Sequence, residues 1–449
     1  MKISAKVTFA FLAAMSLPAW GQEGQLMSDI RREGDDLKKD CTNFKGVFGC
    51  AQTLFTGKPF HISVGSLAPK NGTALGPAFT FDKNLGENWR TETTADAVAS
   101  FNQSWRAGIY FKAFYQPPEK IHVITGPPPK EPPVIGPKAV PEFNAYVQGI
   151  SLNELDYYGL GQFTSRQNLA TYGLSETIIG GNVIYPVFGH SGVSLFGELN
   201  GRLLDPRGRN GSANVPSVEQ RYLFFAAPGL LRSLNYFQAG EGVRFNREIA
   251  ARLTLDYAVT LRQYKSITDG SLSFQRFTLD ASHEFALYRK QRSAAKRTSD
   301  KPTFTFNREG SIGLRALLVE SYIPNGHQVP FYLQPTLGGS DINGESFLPS
   351  YPDERFTGAN LLLFRGKFEH VIWGPLGGEF LADFGRVAQT HGDLGFDHFR
   401  HSYAAGITIR GGGIPAVAIL FAFGGGEGTH IIANVSPVLL GGGSRPSLY

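Results

Sequence analysis

Cysteine is nearly missing from this chain of 449 residues, which holds only Cys41 and Cys50. A cysteine-rich scaffold is excluded. A zinc site is only weakly indicated, because no second Cys or His pair stands at a matching spacing. In an oxidising compartment the two thiols are expected to close a short loop as a disulfide, the alternative being two buried thiols. Past residue 21 no apolar run reaches the roughly 20 residues that a transmembrane helix needs. Amphipathic helical stretches are scarce too, and the best of them, 27–40, is short and very polar. An excess of one charge is also missing. The formal charge is +5, and without Lys2 and Lys6 it is +3, which is no nucleic-acid footprint. There is no HExxH, Walker loop or dinucleotide fingerprint. The nearest approach to a nucleophile elbow, GHSGV at 189–193, lacks the closing glycine. His391, His398 and His401 are the one local histidine group and read as exposed loop residues. The expectation is a non-enzyme without cofactor or metal; a barrel-embedded lipid hydrolase is the least favoured alternative.

What is present begins with a leader. Lys2 and Lys6 precede the apolar stretch Val7 to Leu17, and Ala19-Trp20-Gly21 is a small-x-small end. Residues 1–21 read as a secretory signal peptide cleaved before Gln22. Residues 22–57 then form a short N-terminal segment that carries the cysteine pair.

Glycine and phenylalanine are abundant, at 54 and 35 residues. Most of the chain alternates with period two, the mark of strands. In 192–204, Ser194, Glu198, Asn200 and Arg202 oppose Val193, Leu195, Leu199 and Leu203. In 250–264, Arg252, Asp256 and Arg262 oppose Leu253, Leu255, Tyr257, Val259 and Leu261. In 274–288, Arg276, Asp280 and Glu284 oppose Phe277, Leu279, Ala281, Phe285 and Leu287. Each segment has one apolar and one charged face, and several meet the 9–11 residues or so that a membrane strand requires. Trp89, Trp105, Tyr115, Tyr185, Tyr288 and Trp373 stand near strand ends, as interfacial girdles do. With a leader and no helical span, the fold class is all-β, a closed transmembrane antiparallel barrel over 58–440 in the outer membrane of a Gram-negative-type bacterium, because closure leaves no unpaired backbone edge in lipid. A secreted soluble β protein is the alternative.

Strands are expected near 58–66, 74–82, 88–101, 105–116, 142–153, 168–186, 191–204, 234–245, 249–265, 271–288, 310–321, 358–372, 377–388, 401–410, 414–424 and 427–437. That is about 16, an even number as such barrels have. Short turns at 246–248, 373–377 and 411–415 then face the periplasm, and long loops at 205–233, 322–357 and 389–400 face outward. Two long connections fall on the periplasmic side: 117–141, with nine prolines, and the basic 289–309. The first reads as a semi-rigid spacer or docking strip and the second as a solvated loop. Residues 441–449 read as a C-terminal tail. The last strand does not finish the chain on an aromatic residue, which departs from the usual outer-membrane terminus.

The C-terminal third resembles the bacterial surface antigen superfamily, the barrels of BamA- and TamA-type outer-membrane assembly proteins. The residues that carry the likeness are Val329-Pro330-Phe331-Tyr332, Leu337-Gly338-Gly339, the strand with Glu369, FLADFGRV from Phe380 to Val387, and the final strand pair AVAILFAFGGGEGTHIIANV. Weaker matches are TFDKNLGENW at 80–89 and DYYGLG at 156–161. The order and spacing of these segments are specific, not any one motif.

The resemblance implies that the loop after Gly338-Gly339 folds back into the lumen, and that an Arg at its tip meets the carboxylate of a Phe-x-Asp-x-Gly strand motif. Asp383 matches that carboxylate. The tip reads Ile342-Asn343-Gly344-Glu345, so Asn343 stands where the Arg is expected and offers Asp383 a neutral bond at most. Another cation is then needed, because an unpaired buried charge is costly. Arg365, Lys367 and Glu369 share the inward face of 358–372. With a turn centred in 373–377, Lys367 lies across from Asp383 and Arg365 one pair along. A diagonal Arg365–Asp383 pair is expected, with Lys367 and Arg355 as competitors. Assembly members carry periplasmic polypeptide-binding domains, and the expectation here is a stand-alone barrel without them. It is expected to be a monomer in outer-membrane lipid that serves biogenesis or transport, with a separate periplasmic protein as partner and no nucleic acid. A passive solute pore is the rival reading.

Overall fold

The structure is a computed structural model, described here for residues 27–28, 30–35, 54, 58–116, 139–188, 191–208, 215–292, 304–411, 414–435 and 445–448. The expected leader, the expected Cys41–Cys50 disulfide and most of both long connections at 117–141 and 289–309 lie outside the described residues.

Sixteen strands form one antiparallel sheet in chain order. They are β1 (Phe60–Ser66), β2 (Thr73–Leu85), β3 (Trp89–Ser100), β4 (Trp105–Tyr115), β5 (Glu142–Tyr157), β6 (Ala170–Pro186), β7 (Val193–Gly208), β8 (Leu234–Ala250), β9 (Leu253–Ser266), β10 (Phe274–Arg292), β11 (Phe304–Tyr322), β14 (Asn360–Trp373), β15 (Leu376–Ala388), β16 (Arg400–Gly411), β17 (Ile414–Phe423) and β18 (His430–Val435). The remaining two, β12 (Thr336–Leu337) and β13 (Phe356–Thr357), pair with each other within the long loop between β11 and β14. All sixteen expected strands are present, offset at their ends. The turn expected at 246–248 instead falls at Ala251-Arg252, because β8 runs on to Ala250. Pairing also consumes the flanks of the basic connection: β10 and β11 are 19 residues each and stay paired to Arg292↔Phe304.

The sheet rolls up so that loops between strands remote in its order meet. Gln162 donates to the His398 carbonyl at 3.0 Å, and Arg166 to the Glu427 carbonyl at 2.8 Å. Among the described residues no ladder joins β1 to β18.

Burial is inverted relative to a water-soluble protein. On β7, Leu199 is 59% exposed while Asn200 and Arg202 are 2% and 1%. Phe368, Phe380 and Phe384 face outward on β14 and β15, and Glu369, Glu379 and Asp383 are buried. An apolar exterior of this extent, on strands whose backbones pair along the sheet, is built for lipid as solvent. Trp89 packs edge-on against Tyr115 at 5.8 Å, and with Tyr185 and Trp373 these rings mark the ends of strands at the short-turn end. At that end the N-terminal segment touches the barrel, where the Phe60 N–H donates to Glu33 at 3.0 Å.

Candidate functional site: a bolted loop in the lumen

Of the loop from 323 to 359, the part from Val329 onward packs inside the barrel, while 324–326 stay exposed. Val329, Phe331, Tyr332, Leu333 and Ile342 join a core with wall residues Tyr146, Ile178 and Tyr264. Leu337, Phe347, Leu348, Tyr351 and Phe356 form a second core against Leu317, Leu361, Leu363 and Val387. Each such side chain removed from water contributes about 1.5–3 kcal/mol, so the plug is held by its own apolar content despite having no period of its own.

The two glycines make the turn. Gly338 and Gly339 have φ of 107° and 53°. A Cβ on Gly338 would lie 2.5 Å from the Arg355 Cβ, and one on Gly339 2.7 Å from the Asp353 backbone. The chain therefore doubles back on itself at a separation that only glycine allows. Beyond it, Asp341 Oδ1 accepts the Asn343 N–H at 2.9 Å and the Glu345 N–H at 2.7 Å, and Gly344 at φ 83° completes the tip. Gly385 on the wall leaves room for Leu337, whose Cδ1 would be 2.8 Å from a Cβ there.

Asp383 is fully buried and takes three bonds. Arg365 Nε donates to Oδ1 at 2.7 Å and its Nη2 to Oδ2 at 2.6 Å. The Leu348 N–H donates to Oδ2 at 2.9 Å. The same Arg365 Nη2 donates to the Ser346 carbonyl, and its guanidinium lies over the Phe347 ring at 5.1 Å. One ion pair thus clamps Ser346 to Leu348. The pair is directly opposite, not diagonal. The hairpin turns at Gly374-Pro375, and an irregularity between Val371 and Trp373 shifts the register, so Lys367 lies across from Leu381.

The competitors have other partners. Lys367 pairs with Glu379 at 3.1 Å. Arg355 grips Glu427 at 2.7 and 2.8 Å and donates to Thr164 Oγ1 and carbonyl at 2.9 and 2.6 Å, which ties the loop to two others at the long-loop end. Glu369 pairs with Arg410. Asn343 does not meet Asp383: its Oδ1 accepts the Leu448 N–H at 2.8 Å. Glu345, where the resemblance expects an aromatic, pairs with Arg315 at 3.1 Å, and Arg315 holds Asp280 at 2.9 and 2.7 Å. Arg315 was missed from the sequence, although its place opposite Arg365 on the same inward face marked it as a lumen cation.

The histidine group is not gathered. His391 lies 3.5 Å from Glu320, His398 is bonded to Asp397 at 2.7 Å, and the His401 ring is beside Tyr403. Among the described residues no group of metal-ligating side chains forms. In GHSGV, His190 lies outside the described residues, and the Ser191 hydroxyl serves its own turn, donating to the Val187 carbonyl at 3.0 Å.

No protein-family model matches the chain, and no curated protein does. Solved structures are similar to it. BamA from Haemophilus ducreyi lacking POTRA domains 1-3 has 13% identity and a TM-score of 0.48 over 84% of this chain and 70% of that one. CdiB from Acinetobacter baumannii has 9% and 0.43, over 81% and 55%. CdiB from Escherichia coli has 14% and 0.45, over 81% and 58%. The chain spans little more than half of either CdiB.

Proposed function

We propose that this is an outer-membrane barrel of the surface antigen type, closed at rest, that serves outer-membrane biogenesis or polypeptide transport. The long-loop end faces outward and the short-turn end the periplasm. The observation that carries the reading is the Arg365–Asp383 clamp on Ser346 to Leu348, which holds the loop across the lumen. A passive pore keeps its lumen clear, whereas here two apolar cores join the loop to the wall on the inside of the barrel. The sequence likeness around Gly338-Gly339 and Phe380 to Val387 points the same way. The test uses liposomes that contain the purified protein, to which a urea-unfolded outer-membrane barrel is added. Faster folding than in empty liposomes, read as heat-modifiable migration, supports biogenesis. Folding at the empty-liposome rate, with no polypeptide admitted to the vesicle, contradicts both roles.

A further inference from the structure

The segment Arg445 to Leu448 is not a free tail; it lies inside the barrel, under the loop. Arg445 donates to Asp96 Oδ2 at 2.9 Å, an oxygen that Arg106 also contacts at 2.9 Å. The Ser447 carbonyl accepts from Arg202 Nη2 at 2.7 Å. The Leu448 N–H donates to Asn343 Oδ1 at 2.8 Å, and the Leu448 side chain joins the core that holds Ile342 and Tyr146.

These four contacts read a peptide in a recognisable way. Arg202 and Asn343 take one carbonyl and the next N–H, which any extended peptide offers. Asp96 takes a cation three residues before an apolar side chain, and the core takes that side chain. The receptor groups come from β3, β7 and the loop, so the site is assembled by the fold and not by the segment itself. Arg202 is 1% exposed and its other nitrogens are directed to Glu176 and Gln238. Its Nη2 is turned to the segment and is covered by it, with Ser447 itself exposed to the open lumen.

We infer that the lumen contains a peptide-binding site for an extended segment of the pattern basic-x-x-Leu, and that Arg445 to Leu448 occupies it in cis. The occupant also closes the chain from Asn343 to the wall, which gives the loop tip a support in place of Asp383. A client peptide of the same pattern competes with the segment for Arg202 and Asn343, and its entry releases the loop tip. The four contacts carry this assignment whatever the barrel transports.

The test uses a fluorescent peptide, GGGSRPSLY, and a variant that ends at Ser444. The truncated barrel is expected to bind the peptide, and Asp96→Ala in it to weaken binding at least tenfold. The intact barrel is expected to bind it at least tenfold more weakly than the truncated one. If the truncated barrel does not fold, the full chain with Arg445→Ala and Leu448→Ala replaces it and is expected to admit the peptide in the same way. Equal binding by intact and opened barrels overturns the inference, as does the lack of binding by a folded, opened barrel.

Discussion

Arg365 stands directly across the β14–β15 ladder from Asp383 and holds both of its carboxylate oxygens. Because the third bond to Asp383 comes from the Leu348 N–H, a contact between two wall strands is also the fastening of the loop. Breaking one partner of a buried pair costs about 3–5 kcal/mol, and the partial exposure of Arg365 places this pair at the lower end. Arg365→Ala is expected to lower the temperature of the heat-modifiable transition and to expose the loop to protease. Arg365→Lys retains the charge but not the two-bond grip, and should fall between. A transition unchanged in Arg365→Ala refutes the clamp.

Lys367→Ala is the matching control. Its partner Glu379 is buried, but the Lys367 side chain is over a third exposed. Exposed pairs contribute about 0–1 kcal/mol. The same thermal assay should show a shift well below that of Arg365→Ala, and an equal or larger shift would move the clamp to Lys367.

Gly338→Ala places a methyl against the Arg355 side chain and the Pro352 carbonyl, at a φ that side chains rarely adopt. The strain is on the order of 1–3 kcal/mol. Limited proteolysis should cut the loop in this variant and spare it in Gly344→Ala, where a Cβ meets open space and only the backbone preference is lost. Equal resistance of the two variants would show that the turn does not need its glycine.

Glu354 is expected to make the loop pH-sensitive. Burial, with Asp156 adding repulsion, pushes its carboxyl well above the usual range, and burial raises Asp353 beside it. A raised carboxyl favours the protonated form in the folded state. Stability is therefore greatest below the ordinary carboxylate range and falls as pH rises through the raised value. Hydrogen exchange at 338–356, corrected for its intrinsic pH dependence, should show greater protection in acid than at neutral pH. Glu354→Gln should remove most of that difference, and a difference that survives intact refutes the assignment to Glu354.

The barrel was legible because lipid outside and charge inside impose period two on the strands. Leu199, Asn200 and Arg202 show that code plainly. The Arg365–Asp383 pairing was legible as a need, since Asp383 had lost its expected partner, but its register was not. A bulge near Ile372 leaves no trace in an alternating pattern. The ends of β10 and β11 were missed because the apolar half of the code stops where the belt stops, while backbone pairing continues. The interior place of Arg445 to Leu448 had no periodic signal at all. The cues in retrospect are an Arg and a Leu behind a glycine run, and buried wall charges such as Arg202 with more donors than neighbours in sequence could satisfy.

The central claim is that the lumen is closed by a loop bolted through Arg365 and Asp383. Planar-bilayer conductance tests it most directly. The wild-type barrel should show little steady conductance, and Arg365→Ala should show more frequent brief openings in the same folded protein. A wild-type barrel that already conducts steadily, or opens as often as the variant, would contradict the account.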